Sequence, residues 1–103
     1  MSATGRSSVR KDYDNYPTPA WCVRRLLERV DLPGGTWLEP AAGDGAIVRA
    51  VRAARHDVDW IAVEIREDCR HLLRREVPGD RVVIGDFLTC DLPVKPRVVI
   101  ANT

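Results

Sequence analysis

The chain has 103 residues, 45% of them hydrophobic and 30% charged, with a net charge of +1. That length allows one domain at most, with a real but small core. The balanced charge makes no general electrostatic case for a polyanionic partner, and no apolar run reaches the ~18 residues that a membrane span needs.

Cys22, Cys69 and Cys90 are odd in number and far apart. Without a Cys-x-x-Cys pair they support neither a disulfide framework nor a zinc site, and they are read as neutral thiols in a reducing cytoplasm. His56 and His71 fall on separate elements with no third ligand, so no metal site is expected. The basic residues are nearly all arginine, Lys11 and Lys95 being the exceptions. Those on the helices, such as Arg24, Arg25, Arg74 and Arg75, are read as a solvated face.

In chain order, residues 1–11 are rich in Ser, Gly and Arg without an apolar core, so they are read as a disordered leader and not as a secretory signal. Pro17 and Pro19 bracket Thr18, a candidate N-cap. From Ala20 to Asp31 the apolar residues Cys22, Val23, Leu26, Leu27 and Val30 recur at helical spacing. Pro33-Gly34-Gly35 stops that helix. A short strand is expected from Thr36 to Glu39. A helix follows from Gly45 to Arg55, with Ile47, Val48, Val51 and Ala54 on one face. Asp59 to Ile65 is a largely apolar strand, as a buried parallel strand should be. Glu67 to Val77 is expected to be a third helix, with Cys69, Leu72 and Leu73 inward. Pro78-Gly79-Asp80 turns the chain into a strand from Arg81 to Gly85. A last strand runs from Arg97 to Ala101.

Alternating helices and strands predict a parallel sheet built from right-handed crossovers. The last connection, Phe87 to Pro96, contains Pro93 and Pro96 and is barely long enough for a crossover. If the three helices share one face, the chain offers nothing to cover the other. The expected cover is residues beyond Thr103, a partner protein or self-association; otherwise the sheet differs from this arrangement.

The chemistry concentrates where strands end. Trp37-Leu38-Glu39-Pro40-Ala41-Ala42-Gly43-Asp44-Gly45 takes a strand through an acidic residue and a small-residue loop into a helix. That is how a nucleotide-like ligand is held at the carboxyl end of a parallel strand. Glycines at 43 and 45 would let the backbone approach the ligand, since no Cβ intervenes. Glu64 ends the second strand, 19 positions after Gly45, where a carboxylate can accept hydrogen bonds from both ribose hydroxyls. Ile65 beside it can lie on a purine face. Asp86 ends the third strand, where it can accept from an exocyclic amine, and Phe87 can stack on the ring. A dinucleotide site fits less well. The third glycine position is Val48, and Ala41 stands where the first glycine would be.

On these motifs the chain resembles the N-terminal part of a class I S-adenosylmethionine-dependent methyltransferase. More narrowly, it is similar to phage and bacterial DNA adenine-N6 methyltransferases. Leu38 to Ile47 resembles the family's first cofactor motif, Glu64 its ribose-binding acid, and Asp86-Phe87 its adenine-recognition motif. Tyr16-Pro17-Thr18-Pro19 resembles the upstream segment that closes over the methionine end of the cofactor. Asn102 stands where the catalytic Asn/Asp-Pro-Pro-Tyr/Phe motif would begin. Thr103 departs from that motif's first proline. The resemblance implies a partial Rossmann-like methyltransferase fold over residues 12–103, with about four parallel strands and helices mainly on one face.

It implies S-adenosyl-L-methionine as cofactor, held by Tyr16, Thr18, Glu39, Ala41, Gly43, Gly45, Glu64, Ile65, Asp86 and Phe87. It also implies DNA as substrate of a complete enzyme, with Asn102 catalytic. The complete reaction would methylate adenine N6. Stopping at Thr103, the chain is expected to be a truncated part that does not methylate DNA by itself. Two other readings stay open: a class I methyltransferase acting on protein or a small molecule, and a non-catalytic remnant or split subunit.

Overall fold

The computed structural model of the chain describes residues 18–102. Helix α1 (Ala20–Arg29) begins after Pro19 and stops where Val30 turns extended, its N–H still bonded to the Leu26 carbonyl. Strand β1 (Gly35–Glu39) leads through the glycine loop into helix α2 (Ala46–Ala54). Strand β2 (Val58–Glu64) is followed by a 3₁₀ turn (Glu67–Cys69) that runs into the short helix α3 (Arg70–Leu73). A second 3₁₀ turn (Gly79–Arg81) opens strand β3 (Val82–Ile84), and strand β4 (Val98–Val99) comes last.

The four strands form one parallel sheet in the order β3-β2-β1-β4. This is the expected α/β arrangement, consistent with a partial Rossmann-like fold. The order has a functional consequence. The chain steps outward from β1 to β2 to β3, then crosses back to lay β4 on the other side of β1. Strand order therefore reverses beside β1, and in open parallel sheets the carboxyl end of that crevice is where ligands bind.

The helices converge on one sheet face. Val23 of α1, Ile47, Val48, Ala50 and Val51 of α2, and Cys69 and Leu73 join Trp37, Trp60, Ala62, Val82 and Ile100 in one core. Trp37 is fully buried, with its indole N–H satisfied by the Pro33 carbonyl at 2.9 Å. Trp60 meets it edge-on at 5.8 Å.

Several local expectations need correction. Thr18 does not cap α1; Pro19 holds that position and no side chain caps it. Of the apolar stripe along α1, Leu26 and Val30 are exposed, and only Val23 is fully buried. In α2, Ala54 is exposed and Ala50 takes the inward place. The third helix is one turn of α-helix, not eleven residues. Beyond Leu73 the amides of Arg75 and Glu76 bond to the third carbonyl back, and Pro78 disfavours helical geometry at Val77. Arg52 also binds Glu76, donating to its carboxylate at 2.7 Å and to its backbone carbonyl.

Contrary to the expectation from the sequence, the second face of the sheet is not bare. Leu38, Ile61 and Val63 are buried there, with Val83, Cys90 and Leu92 packed against them. Cys90 and Leu92 belong to the connector between β3 and β4, which is too short for a helix but long enough to fold across the face. The amides of Thr89 and Cys90 both bond to the Asp86 carbonyl and turn it inward.

Candidate ligand site at the carboxyl edge of the sheet

Register places the chemistry side by side. Glu39 pairs with Ala62, so Glu64 lies two residues further along the same edge. Glu64 pairs with Ile84, so Asp86 lies two residues beyond that. On the other side Leu38 pairs with Val99, and Asn102 follows three residues later. Across the sheet the edge reads Asp86, Glu64, Glu39, Asn102. These residues are brought together because the strands are parallel and run out at the same edge.

The glycine loop is fastened to this edge by its own amides. The Ala41 N–H donates to Glu39 Oε1 at 2.8 Å, the Ala42 N–H to the Val63 carbonyl at 2.8 Å, and the Gly43 N–H to Glu64 Oε1 at 2.7 Å. Asp44 Oδ1 accepts from the Ala46 N–H at 3.1 Å, which satisfies one orphan donor at the start of α2. Gly43 and Gly45 both have positive φ, 57° and 89°. Their reasons differ. A Cβ on Gly45 would stand 3.1 Å from Glu76 Cγ and 3.6 Å from Leu73 Cδ2, so that glycine serves the packing of α3 and its following turn against the loop. A Cβ on Gly43 would point at the Arg66 guanidinium, 3.5 Å away.

The two glutamates are both buried, at 1% and 4% exposure, yet their states are opposite. Burial pushes the Glu39 carboxyl up from 4.5 to about 7; its one hydrogen bond, from Ala41, opposes that, and the charge of Glu64 adds to it. Its Oε2 is buried without a partner among the described residues. Burial also disfavours the charged form of Glu64. There, however, donors outweigh it: the Arg66 Nε–H at 2.8 Å, the Arg66 backbone N–H at 3.0 Å and the Gly43 N–H together hold Glu64 below the usual carboxylate range. Glu64 is therefore the ionised member of the pair at neutral pH and Glu39 the poised one.

Beside the carboxylates lie exposed apolar side chains: Ile65 at 68% and Phe87 at 40%. Such exposure suits side chains that meet a flat ligand. Asp86 spends Oδ1 on the Leu88 N–H at 2.9 Å, closing a local turn. Asn102 and Thr18, 84 positions apart, meet through Asn102 Nδ2–H donating to Thr18 Oγ1 at 3.1 Å. The structure thus ties the segment ahead of α1 to the end of β4. Tyr16 lies outside the described residues. Motif patterns alone do not reveal Arg66; its one signal in the sequence is a cation two positions after a strand-end acid.

An open cavity of about 610 Å³ lies at the other edge of the sheet, between the ends of α1 and α2, among Leu27, Glu28, Leu32 and Arg55. It shares no residue with the carboxylate edge. Among the described residues no cluster of three or more His, Cys, Asp or Glu could hold a metal ion, and no helix is long and apolar enough to cross a membrane.

No family model matches the chain, and neither does any solved structure. Among curated proteins, a ribosomal RNA small subunit methyltransferase A from Synechococcus sp. (strain JA-2-3B'a(2-13)) is 41% identical over 87 residues. The alignment takes in 78% of this chain, which spans about 30% of the length of that relative. The likeness supports a class I S-adenosylmethionine-dependent methyltransferase and does not reach the narrower DNA adenine-N6 form.

Proposed function

We propose that this chain is the cofactor-binding part of an S-adenosylmethionine-dependent methyltransferase that modifies an exocyclic amine of a nucleic-acid base. One observation carries the reading: a buried Glu64 holds the Gly43 amide of the glycine loop beside the strand-order reversal. The donor set suits the cofactor. Glu64 offers its carboxylate toward a ribose, and Ile65 and Phe87 offer apolar surface toward an adenine. Glu39 Oε2, buried without a partner among the described residues, is an acceptor available to a cationic ligand. Ala41 and Gly43 keep the loop in place, Asp86 stands toward the exocyclic amine, and Gly45 seats the loop on the α3 turn. When bound, the cofactor supplies a methyl group already activated on a sulfonium, so the protein's work is positioning and electrostatics.

At the other side of β1, Asn102 is proposed to accept a hydrogen bond from the target amine through Oδ1. Its Nδ2 is engaged by Thr18, which sets the amide in that sense. The relative acts, by its name, on ribosomal RNA, so RNA stands ahead of DNA as substrate. The adenine-N6 reading on DNA rests on Tyr16 to Pro19 and on Asn102 alone.

Calorimetry of this chain with S-adenosylmethionine and its demethylated product tests cofactor binding. Glu64→Ala should weaken it by ~2 kcal/mol, the scale of a charged hydrogen bond. Binding that ignores Glu64 refutes the assignment. Labelled methyl transfer by the protein to ribosomal RNA and to mixed-sequence DNA then separates the substrates.

A further inference from the structure

The Glu64 carboxylate is already largely occupied by donors from its own chain. Oε1 accepts from the Gly43 N–H at 2.7 Å. Oε2 accepts twice from Arg66, from its backbone N–H at 3.0 Å and from Nε–H at 2.8 Å. A carboxylate oxygen has room for about two good donors, so Oε2 is filled and Oε1 has one place left. A vicinal diol binding a carboxylate with both hydroxyls needs one place on each oxygen.

The same guanidinium reaches the glycine loop: its terminal nitrogen lies 3.5 Å from where a Cβ on Gly43 would be. The Arg66 side chain is 31% exposed, whereas that of Glu64 is 5% exposed. If the arm turns outward, the Arg66 and Gly43 amides still hold Glu64 in place.

We propose that the Arg66 side chain is a displaceable occupant of the ribose position, competing with the vicinal hydroxyls of a nucleoside ligand for Glu64 Oε2. The inference rests on the cofactor reading above and adds to it a contact that must open for the ligand to enter. Two consequences follow. Removing the guanidinium strengthens binding of a ribonucleoside, whereas removing an ordinary ligand contact would weaken it. The gain depends on the hydroxyls, because only they compete for Oε2.

The experiment is titration of adenosine and of 2′,3′-dideoxyadenosine into the wild type and Arg66→Met, at pH 8 so that Glu64 stays ionised. Methionine keeps an aliphatic arm and lacks the donors. Adenosine should bind the variant roughly three- to tenfold tighter, and dideoxyadenosine should bind both proteins alike. Equal or weaker adenosine binding by the variant overturns the proposal while leaving the cofactor reading intact. Failure of both proteins to bind adenosine overturns both.

A second measurement does not depend on the variant folding. In the wild type, the Arg66 Nε–H resonance should move toward its solvent-exposed position as adenosine saturates the protein. A resonance that stays in place at saturation excludes displacement.

Discussion

Replacing Glu39 by glutamine tests the electrostatic reading of the site most directly. Folding carries the Glu39 carboxyl from 4.5 to about 7, chiefly by burial. The folded state therefore holds this proton more tightly than the unfolded chain does. Its contribution to stability is complete below about pH 4.5 and is lost as pH rises through about 7. The difference corresponds to ~3 kcal/mol, a large fraction of a small domain's total stability. The glutamine side chain would keep an acceptor for the Ala41 amide but cannot ionise. It also sets an amide N–H where Oε2 lacks a partner among the described residues, which costs ~1–3 kcal/mol at every pH. The slope, and not the absolute stability, is thus the informative quantity. Urea unfolding at pH 5, 6, 7 and 8 should show the wild type losing stability across that range. The Glu39→Gln protein should stay flatter, so that the two curves converge or cross near neutral pH. Parallel curves would refute the burial argument and the assignment of Glu39 as the poised carboxyl.

Glu64 should behave in the opposite sense, because its donors hold its folded pKa below 4.5. Its contribution is present above about pH 4.5 and is lost as pH falls below it, so Glu64→Gln should remove part of the acid-side loss seen by unfolding between pH 5 and 3. Gly45→Ala should destabilise by ~1–3 kcal/mol in chemical denaturation, since alanine must take φ of 89° and push into Glu76. Gly43→Ala should cost less, because the nearest atom belongs to the Arg66 arm; the reverse order would show that the loop does not pack on α3 as described. Leu38→Ala should cost ~3 kcal/mol, because the leucine is buried between β1 and the folded-over connector. A loss below ~1 kcal/mol would mean that this face collapses freely or stays open.

What the sequence by itself determined is local or periodic. Pro33-Gly34 separates α1 from β1, the apolar spacing of Ile47, Val48 and Val51 builds the inward face of α2, and the run from Trp60 to Val63 makes a strand buried on both faces. Those features need only a residue's neighbours along the chain. From them came the parallel sheet, the loop after Glu39 and the alignment of Glu39, Glu64, Asp86 and Asn102 at one edge. The third helix is shorter than its apolar period implies. That period continues past Leu73, while the bonds of Glu76 to Arg52 and the onset of Pro78 end the helix.

Only the tertiary structure decided what the edge residues do. Two strand-end glutamates look equivalent in the sequence. They differ because, among the described residues, β2 delivers Glu64 to three donors, whereas β1 leaves Glu39 with one. Thr18 reads as a helix cap until β4 brings Asn102 to it. The connector after Asp86 reads as barely long enough for a crossover, and only the structure shows it folded over Leu38, Ile61 and Val63. In each case the deciding partner is far away along the chain. Burial and hydrogen-bond satisfaction are properties of the surrounding space, and a pattern of residue types fixes them only after the chain has closed on itself.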